Sequence, residues 1–133
     1  MVKFQPDGRH TVTPRIVVRN PESLIKFLNA VFHAQGEFRA GLPAEMRIGD
    51  SVVMVSGDDG LLDPMPAFLY VYVDDTDSTY RRAIAADATS LEEPADMPYG
   101  DRRAMVRDAW GNTWQIATHK YDLSVAEIRS RLG

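Results

Sequence analysis

His10, His33 and His119 are the only imidazoles in the chain, and no cysteine accompanies them. They are therefore the first side chains to weigh as bases or ligands. His119 follows the β-branched and aromatic run Thr113 to Thr118 and shares strand parity with Gln115 and Ala117. It has no nearby sequence partner to orient it as a general base, so a rim histidine is the plainer expectation. His33 sits where a helix should end, a position that suits a cation, with Glu37 four residues on as a partner. His10 belongs to a polar, Pro/Gly-punctuated arm.

Phe68, Tyr70 and Tyr72 alternate along one strand. They fit either two-sided sheet packing or a stacking wall for a planar ligand. Arg15 and Arg103 fall by the same count on that face. A half-buried guanidinium needs an anion: Asp101 and Glu45 are the favoured partners, and a carboxylate or phosphate on a ligand is the alternative. Asp101 and Arg102 are expected to stabilise a turn, and Trp110 to make a dimer contact in preference to a lid. The cluster Asp74, Asp75, Asp77 lacks calcium-loop spacing and reads as helix capping. There is no phosphate-cradling glycine loop, GxSxG elbow or His/Cys zinc spacing.

The elements that must position these residues show a repeat. The segment GDRRAMVRDAWGNTWQIATH reads as two strands, Arg103 to Asp108 and Thr113 to Thr118, joined at Trp110-Gly111-Asn112. Glu45 to Ser56 has the same plan around Gly49-Asp50. In the first half, a strand at Thr11 to Val18 precedes a helix capped by Asn20 and Pro21, with Leu24, Phe27, Leu28 and Val31 on one face. Glu37 to Leu42 is expected to add a further strand. A linker at Asp58 to Pro66 leads to a second copy: strand Ala67 to Val73, helix Ser78 to Asp87, a strand near Thr89 to Glu92, then the hairpin. Ser124 and Glu127 form a capping box for a final helix over 124–132, expected to dock on the body or on a partner subunit.

Composition bounds the partners. The chain has 133 residues and a formal net charge of -4. This fits one domain, residues 1–133, with module one at about 11–57 and module two at about 66–119. Residues 51–100 hold ten acids against Arg81 and Arg82. A nucleic-acid partner is not expected. No apolar run is long enough for a bilayer, and the absence of cysteine makes a cytoplasmic location the default.

The repeated module, RNPESLIKFL in the first half and GDRRAMVRDAWGNTWQIATHK in the second together resemble the vicinal oxygen chelate superfamily. That group includes glyoxalase I, bleomycin resistance proteins and extradiol dioxygenases. TVTPRIVVRN and GDR…VRDAWGNTWQIATHK look most like its PhnB-like branch, whose members usually have a Pro-Phe-Gly-His-like turn where this chain has Ala109-Trp110-Gly111-Asn112. The likeness implies an α+β fold: two βαβββ modules forming a curled mixed sheet around a shared cup, with helices on the outer face. It also implies four metal-ligand positions, which fall here on Thr13, Met54, Phe68 and Gln115. Such an ion wants imidazole or carboxylate, so no cofactor is expected unless the strand register is displaced by a residue or two.

A metal-free homodimer binding a small aromatic or amphipathic molecule is therefore the leading expectation. Thr13, Arg15, Met54, Phe68, Tyr70, Arg103, Met105, Gln115 and His119 would be the residues on the ligand side. The alternative is a lyase, isomerase or dioxygenase of the same superfamily, with shifted metal ligands such as His119, Gln115 or Glu45.

Overall fold

The computed structural model describes residues 2–57 and 63–133, and the chain forms two compact units, Met1–Ala67 and Phe68–Gly133. Of the expected linker, residues 58–62 lie outside the described residues.

The first unit contains β1 (Arg15–Val18), α1 (Pro21–Phe32), β2 (Ala44–Ile48) and β3 (Ser51–Gly57), with strand order β1-β3-β2. β1 runs parallel to β3, and β2 is antiparallel to it. α1 begins where the cap chemistry places it: the Asn20 side chain accepts from Ser23 N at 3.3 Å, and Pro21 fills a position whose N–H has no helical partner. Leu24, Ile25, Phe27, Leu28, Val31 and Phe32 form its buried face. The helix ends at His33, which adopts φ 54°, and Ala34 N donates to Leu28 O at 3.3 Å. His33 makes no ion pair with Glu37, contrary to expectation; its role is the left-handed cap itself.

Two further expectations fail in this unit. β1 is shorter than Thr11 to Val18 because Pro14 has no N–H for the ladder; it offers only its carbonyl, to Met54 N at 2.9 Å. Glu37 to Leu42 is not a strand. Gln35 forms an isolated bridge with Arg47, the two backbones exchanging bonds of 2.9 and 2.8 Å, and the chain then leaves the sheet. At Gly36, with φ 144°, a Cβ would lie 2.5 Å from Glu45 O, so only glycine allows this approach. Beyond it, residues 36–42 are exposed throughout and lack a buried alternating face to hold them in a ladder.

The second unit carries the whole module: β4 (Phe68–Tyr72), α2 (Thr76–Ala85), β5 (Thr89–Asp96), β6 (Asp101–Arg107) and β7 (Thr113–His119), followed by α3 (Val125–Leu132). Strand order is β4-β7-β6-β5, with β4 parallel to β7 and the other pairs antiparallel. α2 starts two residues earlier than Ser78 because Asp75 is its cap, accepting from Ser78 N at 3.1 Å. β5 extends past Glu92 to Asp96; Pro94 is tolerated because this is an edge strand with register shifts. The α3 capping box forms as expected, but no residue of the helix is buried. The fold is thus α+β with two mixed open sheets of three and four strands.

Candidate functional site

The β6–β7 hairpin is fixed at its tip by one carboxylate. Asp108, 4% exposed, accepts hydrogen bonds of 2.9 Å from Trp110 N, Asn112 N, Asn112 Nδ2 and Trp114 Nε1. Locking the tip locks the register, so Arg107 lies opposite Thr113 and every outward step is determined.

That register assembles rows across one sheet face. Tyr70 lies beside Gln115, and Gln115 opposite Met105; Tyr72 lies beside Ala117, and Ala117 opposite Arg103; His119 lies opposite Asp101. Directly paired residues project from the same face. Trp114 and Ile116, both fully buried, take the opposite face. The structure therefore brings six of the expected residues, Phe68, Tyr70, Arg103, Met105, Gln115 and His119, onto one face of the second unit. Phe68, Tyr70 and Tyr72 remain 66%, 37% and 62% exposed, and the last two rings meet at 5.3 Å between centroids.

A polar network holds the base of this face. Asp101, 3% exposed, accepts at Oδ2 from Tyr70 OH at 2.6 Å and from Tyr72 OH at 2.9 Å, and its Oδ1 lies 2.8 Å from His119 Nδ1. The other ring nitrogen, Nε2, lies 2.7 Å from Asp122 Oδ1. Tyr99 OH is 3.1 Å from Tyr70 OH and accepts from Arg103 Nη1 at 3.0 Å, while Arg103 Nη2 donates to Glu92 at 2.7 Å.

Two expected ion pairs are thereby corrected. Arg103 pairs with Glu92 and not Asp101, and Arg15 donates its Nε to Ser56 Oγ at 3.0 Å while Glu45 pairs with Arg9. Asp101 does more than the expected turn stabilisation, since three side chains converge on it.

The electrostatics follow from this geometry. Burial works against the Asp101 charge, but hydrogen bonds from Tyr70, His119 and Tyr72 outweigh it and hold the carboxyl below its usual range. Burial and the Asp101 contact push the Tyr70 phenol far above its ordinary value; the Asp101 contact, then burial, raises that of Tyr72. His119 is raised by its bonds to Asp101 and Asp122. Both phenols thus keep their protons, and the imidazole is favoured as a cation. The hydroxyls are turned into the network and the rings are presented outward, an arrangement suited to stacking.

In the first unit, Arg15 lies beside Met54 in the parallel register. Thr13 precedes β1, where its Oγ1 accepts from Arg9 Nη1 at 3.4 Å. His10 Nε2 lies 2.8 Å from Asp50 O, tying the expected arm to the β2–β3 turn. Trp110 is half-buried. Asp101 as the partner of Tyr70, Tyr72 and His119, together with Tyr99 and Glu92, is what sequence reasoning missed. Counting outward from the hairpin turn would have found the first, whereas the other two depend on a bulged edge strand and a loop.

Comparison with known proteins now adds to this geometry. The profile of the Glyoxalase/Bleomycin resistance protein/Dioxygenase superfamily matches residues 9–116. An uncharacterised protein of Mycobacterium bovis is 26% identical, over 92% of this chain and 91% of its own length. Among solved structures, TioX from Micromonospora sp. ML1 superposes with a TM-score of 0.71 at 23% identity, covering 83% of this chain and 98% of that one. A glyoxalase/bleomycin resistance protein/dioxygenase family enzyme from Burkholderia phytofirmans PsJN gives a TM-score of 0.69 at 20% identity, covering 80% and 96%. At such identities the two structures speak for the fold alone.

Proposed function

This chain belongs to the Glyoxalase/Bleomycin resistance protein/Dioxygenase superfamily, and from that membership we propose that it is a metal-free protein that binds a small aromatic or amphipathic molecule. The observation that carries this is the exposed stripe Phe68, Tyr70, Tyr72, flanked by Gln115 and Met105, with both tyrosine hydroxyls held by Asp101. Rings supply contact area at low entropic cost, and the Gln115 amide offers both a donor and an acceptor.

The metal-free part rests on donor chemistry. The four positions that the superfamily likeness assigns to ligands hold a hydroxyl (Thr13), a thioether (Met54), a phenyl ring (Phe68) and an amide (Gln115). Such a set does not fit a hard or borderline divalent ion. Shifted ligands fare no better: Glu45 is bound to Arg9, and both nitrogens of His119 face carboxylates. Among the described residues no three His, Asp or Glu side chains converge as a metal group would require.

The PhnB-like phrases, a homodimer and a cytoplasmic location belong to the same proposal. No helix among the described residues is long and apolar enough to cross a membrane.

Three experiments test it. Elemental analysis of the purified protein, followed by nickel, zinc and iron titration, should find no stoichiometric metal; one tightly held ion per chain would sink the proposal. Tryptophan and tyrosine fluorescence, screened against aromatic metabolites and antibiotics, should give saturable quenching that Phe68→Ala weakens. Silence across the panel would count against a ligand. Sedimentation checks the dimer, which a monomer at high concentration would rule out.

A further inference from the structure

The first unit contains a candidate site of its own. A pocket of about 300 Å³ is lined by Arg15 from β1, Ser56 from β3, and Phe38, Arg39, Leu42 and Pro43 from the loop that leaves the sheet after Gln35. Among the described residues no acidic side chain lines it. Arg15 uses its Nε on Ser56 Oγ, and Arg39 uses one Nη on Pro43 O at 2.6 Å; neither has a carboxylate partner among the described residues. Arg15 therefore keeps both Nη groups for another acceptor.

The setting is unusual for a chain of net charge -4. Arg9, Arg102 and Arg103 each hold an acid, whereas these two share a pocket with none among the described residues. Ser56 is 7% exposed, and its contact with Nε fixes one end of the Arg15 guanidinium. Phe38 and Leu42, 40% and 61% exposed, present apolar surface on the loop. Together they make an apolar wall beside a paired cationic end.

We propose that this pocket binds a small amphipathic oxyanion, a carboxylate or phosphate monoester attached to a ring-sized apolar body. The anion takes the free Nη groups of Arg15 and Arg39, whose planar forks match its oxygens, and the body lies against Phe38 and Leu42. The volume is at the small end of ligand cavities, which favours a single ring over a drug-sized molecule.

Amide NMR titration of the intact chain with benzoate, phenyl phosphate and benzyl alcohol tests this. The two anions distinguish the oxyanion sources, and the alcohol tests the charge. At least one anion should bind saturably, shifting the amides of Arg15, Arg39, Gly41 and Ser56, with benzyl alcohol far weaker. Arg15→Gln and Arg39→Gln should each weaken binding at least about ten-fold, as loss of a charge-assisted bond implies. Both sites are exposed, and thermal melts confirm folding of each variant. Phe68→Ala should leave this binding intact, so failure here and failure of the aromatic face are read separately. Absence of binding, equal binding of the alcohol, survival of binding in the double arginine variant, or its loss in Phe68→Ala would each overturn the proposal.

Discussion

The two halves of this molecule use one repeat for different purposes. In the first, α1 meets its sheet through hydrocarbon, burying six apolar side chains against Ile16, Val53 and Val55 among others. In the second, α2 buries only Thr76, Thr79 and Ala83, and Thr76 Oγ1 bonds to Arg102 O and Thr118 Oγ1. Of the buried polar side chains among the described residues, only Ser56 lies in the first unit; Asp101, Asp108, Asn112 and both threonines lie in the second. An apolar interface tolerates small displacements, whereas a hydrogen-bonded one fixes positions to a few tenths of an ångström. The half built from polar contacts is accordingly the half that presents an ordered face of rings.

The contrast can be broken most severely at the hairpin tip. Asp108→Ala removes the acceptor of four hydrogen bonds around Trp114 and should cost about 4 kcal/mol by urea unfolding, because buried donors lose their charged partner. A loss near zero would mean that the second unit does not depend on its polar contacts. Next come the two helices. Leu28→Ala in α1, at 0% exposure, should cost about 3 kcal/mol through the cavity it leaves. Thr79→Ala in α2, equally buried, should cost about 1 kcal/mol, since little hydrocarbon is lost. Equal losses would erase the difference between the two interfaces.

A smaller effect sharpens the comparison by pH. The folded-state pKa of His119 is raised above 6.5, so its stabilising contribution is complete below that value and is lost as pH rises through the folded one. The urea midpoint of wild type relative to His119→Gln should therefore be highest on the acid side of neutrality and converge at alkaline pH. Asp101 is shifted the other way. Its contribution is present above 3.8 and lost as pH falls through its lower folded value. A gap between wild type and His119→Gln that widens with rising pH would mean that the carboxylates do not hold the imidazolium.

Much of this was readable in the chain. Parity alone separated Phe68, Tyr70 and Tyr72 from Leu69 and Val71, because a strand period of two leaves no freedom once one face is apolar. Asn20-Pro21 and Ser124-Val125-Ala126-Glu127 announced two helix starts, since cap chemistry is local. The fate of Glu37 to Leu42 was not readable: it turns on the close approach of Gly36 to Glu45, which has no signature in local composition. The partners of Arg15 and Arg103 were misassigned for a similar reason. Parity gives a face, but which acid reaches which arginine depends on loops such as the one carrying Tyr99 and on the bulged register of β5.

The central claim is that the aromatic face of the second unit is a binding surface. Amide and methyl NMR of the full chain, titrated with the strongest hit from the fluorescence panel, tests it most directly. The account predicts saturable shifts centred on Phe68, Tyr70, Tyr72, Met105 and Gln115, and affinity reduced about ten-fold or more in Phe68→Ala with the unfolding midpoint unchanged, as the loss of an exposed aromatic contact implies. Shifts that avoid this face, or a Phe68→Ala protein that binds as wild type does, would contradict it.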